Sequence, residues 1–187
     1  PPYGIDFLGK AWDANTGALE TYQECLRVLK PGGHILAFSA ARTYHHLAIT
    51  LEQAGFEIRD QIMWIYSSGF PKSRDVGKNN KIPEWAGWGT CLKPAHEPIC
   101  MARKPIRGSI AKNCQQWGTG AINVDATRVP YEDEADMKEA HVFCGTKTSG
   151  MKQTFDYDNR GQISSDSSVV MGNIEGRFPS NVIGEIP

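Results

Sequence analysis

Apolar positions recur through the first hundred residues with two different periods. Tyr22, Leu26 and Leu29 fall at i, i+4 and i+7, with Cys25 beside them. That spacing predicts a helix with one apolar stripe. Thr21 or Thr16 is placed to cap its start, and Pro31-Gly32-Gly33 to end it. His34 to Ser39 (HILAFS) is a short apolar run after a Gly-Gly turn, which predicts a fully buried strand of the parallel type. Tyr44, Leu47, Ala48 and Leu51 mark a second helix, with Gly55 as its stop. The period then changes to two: Ile58, Ile62, Trp64 and Tyr66 share one face of a strand from Ile58 to Tyr66. Glu97 to Arg103 (EPICMAR) is a third strand, and Pro98 places it near an edge or at a strand start.

Strands alternating with helices imply an α/β domain with a largely parallel sheet. In such sheets ligands bind beyond the carboxyl ends of the strands. Ser39 to Thr43 lies past one such end. Pro1 to Gly4 lies past another, if Pro1 closes a strand. From Lys104 onward periodicity fades. Residues 131–139 are acidic and 146–168 polar, which predicts a loop-rich extension. Apolar order returns at Gly176 to Ile183.

The 187 residues suit one domain, and 40% hydrophobic against 22% charged residues permits a core. A net charge of −1 excludes a whole-chain basic field, so any nucleic-acid contact needs a local patch. No apolar run is long enough to span a bilayer. Cys25, Cys91, Cys100, Cys114 and Cys144 form no C-x-x-C pair, which argues against a zinc ribbon or a disulfide framework. Reduced thiols in a cytosolic compartment fit best. No metal site is expected.

Two stretches carry candidate chemistry. Pro1-Pro2-Tyr3-Gly4 joins two residues that lack N–H donors to a flat ring and a flexible turn. Its carbonyls are free to accept hydrogen bonds, and the ring offers a surface to a planar, amine-bearing group. A flexible terminus is the bland alternative. The second stretch, Ser67 to Arg74, holds Phe70, Lys72 and Arg74, with Lys78 and Lys81 beyond. Small residues, one aromatic and four cations suit a phosphate backbone, or a solvated basic loop. Trp85, Trp88 and Trp117 sit in glycine-rich surroundings and could stack on bases or form small local cores. Trp12 is assigned to the core. His45 and His46 are adjacent on a helix and point apart, so they make a poor metal pair.

Taken together these stretches resemble the amino-group DNA methyltransferases. The tetrapeptide is similar to that family's D/N/S-P-P-Y/F motif without its first residue. Arg27 to Gly33, Ile62-Met63-Trp64, Ser68 to Ser73, Lys93 to Ile99, Gly120 to Asp125 and Gly176 to Ile183 follow in the family's order. Residues 131–172 are the vague part. The resemblance implies a partial Rossmann-like, S-adenosylmethionine-dependent enzyme that methylates an exocyclic amine of double-stranded DNA, adenine N6 before cytosine N4. The base is flipped out of the duplex. Tyr3 would stack on it and the Pro1 carbonyl would accept from its amine, so Pro1, Pro2 and Tyr3 are the expected catalytic residues. Phe70, Lys72, Arg74 and Lys78 are the expected DNA contacts. The expected organisation is a catalytic subdomain over 1–104, a target-recognition region over 105–175 and a return to the catalytic domain over 176–187. The family's F-x-G-x-G cofactor loop is absent from the sequence. The chain is therefore expected to be a fragment with half a cofactor site and no assignable cofactor residues, from a cytoplasmic bacterial or phage-encoded enzyme. A non-catalytic nucleic-acid-binding module is the alternative.

Overall fold

The computed structural model describes residues 1–137 and 175–184. It divides into two compact units, Pro1–Ala121 with Ser180–Pro187, and Ile122–Pro179. The first unit holds α1 (Leu19–Val28), β1 (His34–Phe38), α2 (Tyr44–Gln53), β2 (Glu57–Ile65), α3 (Val76–Asn80), β3 (His96–Arg103), α4 (Ile110–Trp117) and β4 (Val182–Gly184). The fold is mixed α/β, with one four-stranded sheet in the order β1-β3-β2-β4.

The sheet is mixed rather than largely parallel. β3 pairs antiparallel with both β1 and β2, and β4 pairs parallel with β2. β1 and β2 therefore run in the same direction, as a strand-helix-strand unit requires. The long connection after β2 then returns the chain between them. Pro98 consequently sits in a central strand, not an edge. It lies near the start of β3, where β1 is ending, and its carbonyl accepts from Ser39 N at 3.0 Å.

Helices cover one face of the sheet. Leu47 and Leu51 from α2 and Tyr22 from α1 pack with Ala37, Phe56, Cys100 and Ala102 in one buried cluster. Leu47 is 0% exposed, so Leu47→Ala is expected to cost about 2–5 kcal/mol, read as a shifted midpoint in urea unfolding. β1 is not buried on both faces: Leu36 remains 57% exposed. The predicted shared face of β2 is also corrected. A bulge between Ile58 and Asp60 shifts the register, so Ile58 pairs with Ala102 while Ile62 and Trp64 pair with Ile99 and Glu97. One extra residue reverses the side chains beyond it. Ile58 thus joins the helix-side core, and Trp64 meets Phe38 on the other face, ring centres 6.1 Å apart.

Neither threonine caps α1, whose N-cap is Ala18 without a side-chain bond. The Thr16 carbonyl instead accepts from the Tyr22 hydroxyl. Trp12 is 61% exposed, against Phe7, and does not anchor the core. α4 falls where the sequence pattern predicts an irregular stretch. Ser109 caps it by accepting from Lys112 N, and Gly118 ends it at φ +71°. Its Asn113 amide donates to the carbonyls of Pro31 and Thr119.

The second unit is described at residues 122–137 and 175–179. Val129 and Arg177 form an antiparallel bridge. Arg177 pairs with Asp136 and lies over the Tyr131 ring. The polar stretch 146–168 and Cys144 lie outside the described residues. No helix among the described residues is long and apolar enough to cross a membrane.

Candidate active site

The directions of the strands bring three chain segments to one end of the strands. β1 and β2 end there, and β3 begins there. Ser39 to Thr43 follows β1, Tyr66 follows β2, and Glu97 stands at the start of β3. Pro1-Pro2-Tyr3-Gly4 lies at this end, tied to the residues after β1 and to the start of β3.

Each hydrogen-bonding group of Tyr3 is engaged by a different residue. Its N–H donates to Asp13 Oδ1 at 2.9 Å, and its carbonyl accepts from Thr43 Oγ1 at 2.6 Å. Its phenol donates to Glu97 Oε2 at 2.5 Å. Burial first, then the bond to Glu97 and that carboxylate's charge, push the phenol above its ordinary pKa. The hydroxyl therefore stays protonated and remains a donor to Glu97. Tyr66, the next aromatic on this side, is raised as well, by burial and then by Glu97. Trp64 packs on Tyr66 with ring centres 5.6 Å apart. No donor among the described residues bonds the carbonyls of Pro1 or Pro2.

Asp13 organises the loop behind the tetrapeptide, a role the composition of that loop did not reveal. It is 1% exposed. One carboxylate oxygen accepts from Tyr3 and Gly4 N–H, both at 2.9 Å. The other accepts from Ile5 at 3.2 Å and Phe7 at 2.8 Å. Burial alone would raise its pKa, but the bonds from Phe7, Gly4, Tyr3 and Ile5 prevail and hold it below the usual carboxylate range. These bonds also hold an unfavourable backbone. Asp6 at φ +57° and Leu8 at φ +52° occupy the left-handed region that side chains disfavour. Arg42 adds a bond from its guanidinium to the Ile5 carbonyl at 3.0 Å. Two short 3-10 turns, Phe7–Gly9 and Ala11–Asp13, bring the aspartate back against the start of its own loop, which no local sequence signal announced.

The chain between β2 and β3 is a built loop. Asp75 caps α3 through Lys78 N at 2.9 Å and accepts from Gly87 N at 3.0 Å. The Ser73 hydroxyl accepts from Thr90 N, and the Thr90 hydroxyl from Arg74 N. Two glycines allow the close crossings: a Cβ on Gly69 would lie 1.8 Å from the Pro94 carbonyl oxygen, and one on Gly77 2.2 Å from Ala86 N. Trp85 and Trp88 pack edge to face at 5.0 Å, a local pair within this loop. Phe70 is 76% exposed, and the side chains of Lys72, Arg74 and Lys78 are exposed without an ion pair among the described residues. The loop leaves the sheet beside Tyr66, whose ring lies 3.2 Å from the Cβ position of Gly69. Among the described residues, no hydrogen bond, ion pair or ring contact joins Phe70 or these cations to the tetrapeptide.

A groove of about 520 Å³ lies on the other side of Gly4, lined by Asn15, Thr16, Gly17, Thr43 and His46 among others. His45 and His46 are exposed on α2, and they do not point apart as expected: their ring centres lie 3.9 Å from each other.

No curated protein matches the chain significantly. Among solved structures, it is similar to the crystal structure of the M1.HpyAVI–SAM complex, at 22% identity and a TM-score of 0.34. That similarity covers 46% of this chain and 38% of the other, so the match spans well under half of the solved protein. The family model N6_N4_Mtase, described as DNA methylase, matches residues 1–176. With nearly the whole sequence inside that match, the chain belongs to the N6/N4 DNA methylase family.

Proposed function

We propose that this chain receives a flipped base of double-stranded DNA and directs its exocyclic amine, adenine N6, towards the methyl group of S-adenosylmethionine. The observation that carries this is Tyr3, held at three points beyond the strand ends beside two proline carbonyls that no described residue bonds. The cofactor supplies an electrophilic methyl on sulfonium. The base rests on the Tyr3 ring, and the Pro1 carbonyl accepts from its amine. That fixes the direction of the nitrogen lone pair before reaction, so the chain contributes orientation and electrostatic preorganisation. No described residue is assigned to the cofactor, which follows from the family match. The sequence has no F-x-G-x-G loop, and the buried Asp13 carboxylate is occupied by backbone N–H groups.

The test is methyl transfer from labelled S-adenosylmethionine to duplex DNA, RNA and protein, with the labelled product identified after hydrolysis. N6-methyladenine from DNA is the expected product. Label confined to RNA or protein, or no transfer alongside salt-dependent DNA binding, would remove the proposal.

Phe70, Lys72, Arg74 and Lys78 are proposed as the DNA-facing surface of the loop between β2 and β3. Lys72→Ala or Arg74→Ala is expected to weaken binding to every duplex sequence alike. Each should lower the slope of log K against log salt by about 0.9 for every phosphate left without its cation. An unchanged slope in both variants would rule out these residues as phosphate partners.

A further inference from the structure

We propose that Glu97 is a positioning residue for Tyr3, its carboxylate fixing the plane of the ring on which the base rests. This rests on the function proposed above. The backbone of Tyr3 is already held, at N–H by Asp13 and at the carbonyl by Thr43. What remains free is rotation about the two side-chain bonds, and a hydrogen bond from the far end of the ring stops it. Glu97 supplies that bond from 94 residues away in sequence, so the contact reports tertiary placement.

The carboxylate is well mounted for the task. It stands on β3 directly before the buried Pro98, and β3 is flanked by β1 and β2. Glu97 pairs with Trp64 across the β2–β3 ladder, and Trp64 packs on Tyr66. Glu97 has no ion pair among the described residues, so no cation draws its charge from the phenol. A phenol donating to an ionised carboxylate makes one of the stronger side-chain hydrogen bonds. A base stacked on a ring free to swing would lose the alignment that methyl transfer needs, and small misplacements carry large rate penalties.

The experiment uses the full-length protein with a duplex carrying 2-aminopurine at the target position, and with unmodified duplex for kinetics. Glu97→Ala and Tyr3→Phe remove the same bond from opposite ends, and Tyr3→Phe leaves β3 untouched. Each is expected to lower kcat by about 10- to 100-fold, with KM for DNA changed by less than about threefold. The double variant should be no worse than the more impaired single variant. Glu97→Gln keeps an acceptor and should recover most of the loss. In both single variants the 2-aminopurine emission should differ from wild type, because stacking on the ring is altered. Additive losses in the double variant, a Gln variant as impaired as Ala, or wild-type emission and kcat in Glu97→Ala would overturn the assignment. Tyr3→Ala separates the two ideas. Full activity there defeats the proposed function, whereas loss there beside an unimpaired Glu97→Ala defeats the role of Glu97 alone.

Discussion

Tyr3→Ala should abolish methyl transfer while the fold stands. Tyr3 is half-buried and lies outside the buried cluster around Leu47 and Leu51, so circular dichroism and the urea midpoint should stay close to wild type. The activity has no such protection. Stacking of a base on an aromatic ring contributes about 1–3 kcal/mol, and misaligned reactants add a further penalty of about 100-fold. A fall of roughly 1,000-fold or more in kcat/KM is therefore expected in single-turnover assays with labelled cofactor. Substitution also releases the phenol bond to Glu97, so the Ala variant should be more impaired than Tyr3→Phe. An Ala variant with normal turnover would mean that the ring does not receive the base.

Asp13→Ala is expected to be nearly as damaging, although Asp13 touches no reacting atom. Its removal leaves the N–H groups of Tyr3, Gly4, Ile5 and Phe7 without their acceptor. The left-handed residues Asp6 and Leu8 then lose the bonds that oppose their strain. The loop should relax and take Tyr3 with it, at a loss of about 100-fold or more in kcat. Asp13→Asn should not restore function, because its amide presents donors to two N–H groups that need an acceptor. A pH signature follows from the direction of the shift. Asp13 is held below the usual carboxylate range in the folded loop. Between the folded value and the unfolded value of about 4, the unfolded loop binds more protons, so stability rises with pH there. The contribution is complete above the unfolded value and disappears as pH falls through the folded one. Hydrogen exchange at Tyr3, Gly4, Ile5 and Phe7, corrected for intrinsic rates, should lose protection in acid in wild type. In Asp13→Ala protection should be low at every pH; retained protection would refute the role given to Asp13.

Local periodicity carried the elements, and long-range placement escaped it. α1, α2 and the three long strands follow from short-range spacings, and each appears within a residue or two of its expected bounds. Strand order does not, because nothing local to His96–Arg103 states that it enters between β1 and β2 in the opposite sense. The bulge after Ile58 was equally hidden: Ile58, Ile62, Trp64 and Tyr66 alternate evenly in sequence, and only pairing against β3 reveals the extra residue. α4 was legible in principle, from a serine cap, a short apolar spacing and Gly118, but glycines on both sides masked it. At the candidate site, the tetrapeptide was visible because two prolines are chemically conspicuous. Asp13 and Glu97 were not, since a single carboxylate gains meaning from what folds against it. The alternation of Glu97 with its strand neighbours gave no hint of the distant phenol.

The central position of β3 also sets an order of events during synthesis. A ribosome releases β1 and β2 well before the strand that must lie between them. Until residues 96–103 emerge, the facing edges of both earlier strands carry backbone groups with no ladder to join, the condition that invites pairing with other chains. Their sheet closes through contacts far apart in sequence, which is the slow kind of assembly. Holding a gap open for a late strand thus leaves the nascent chain with unpaired strand edges until its last inner strand arrives.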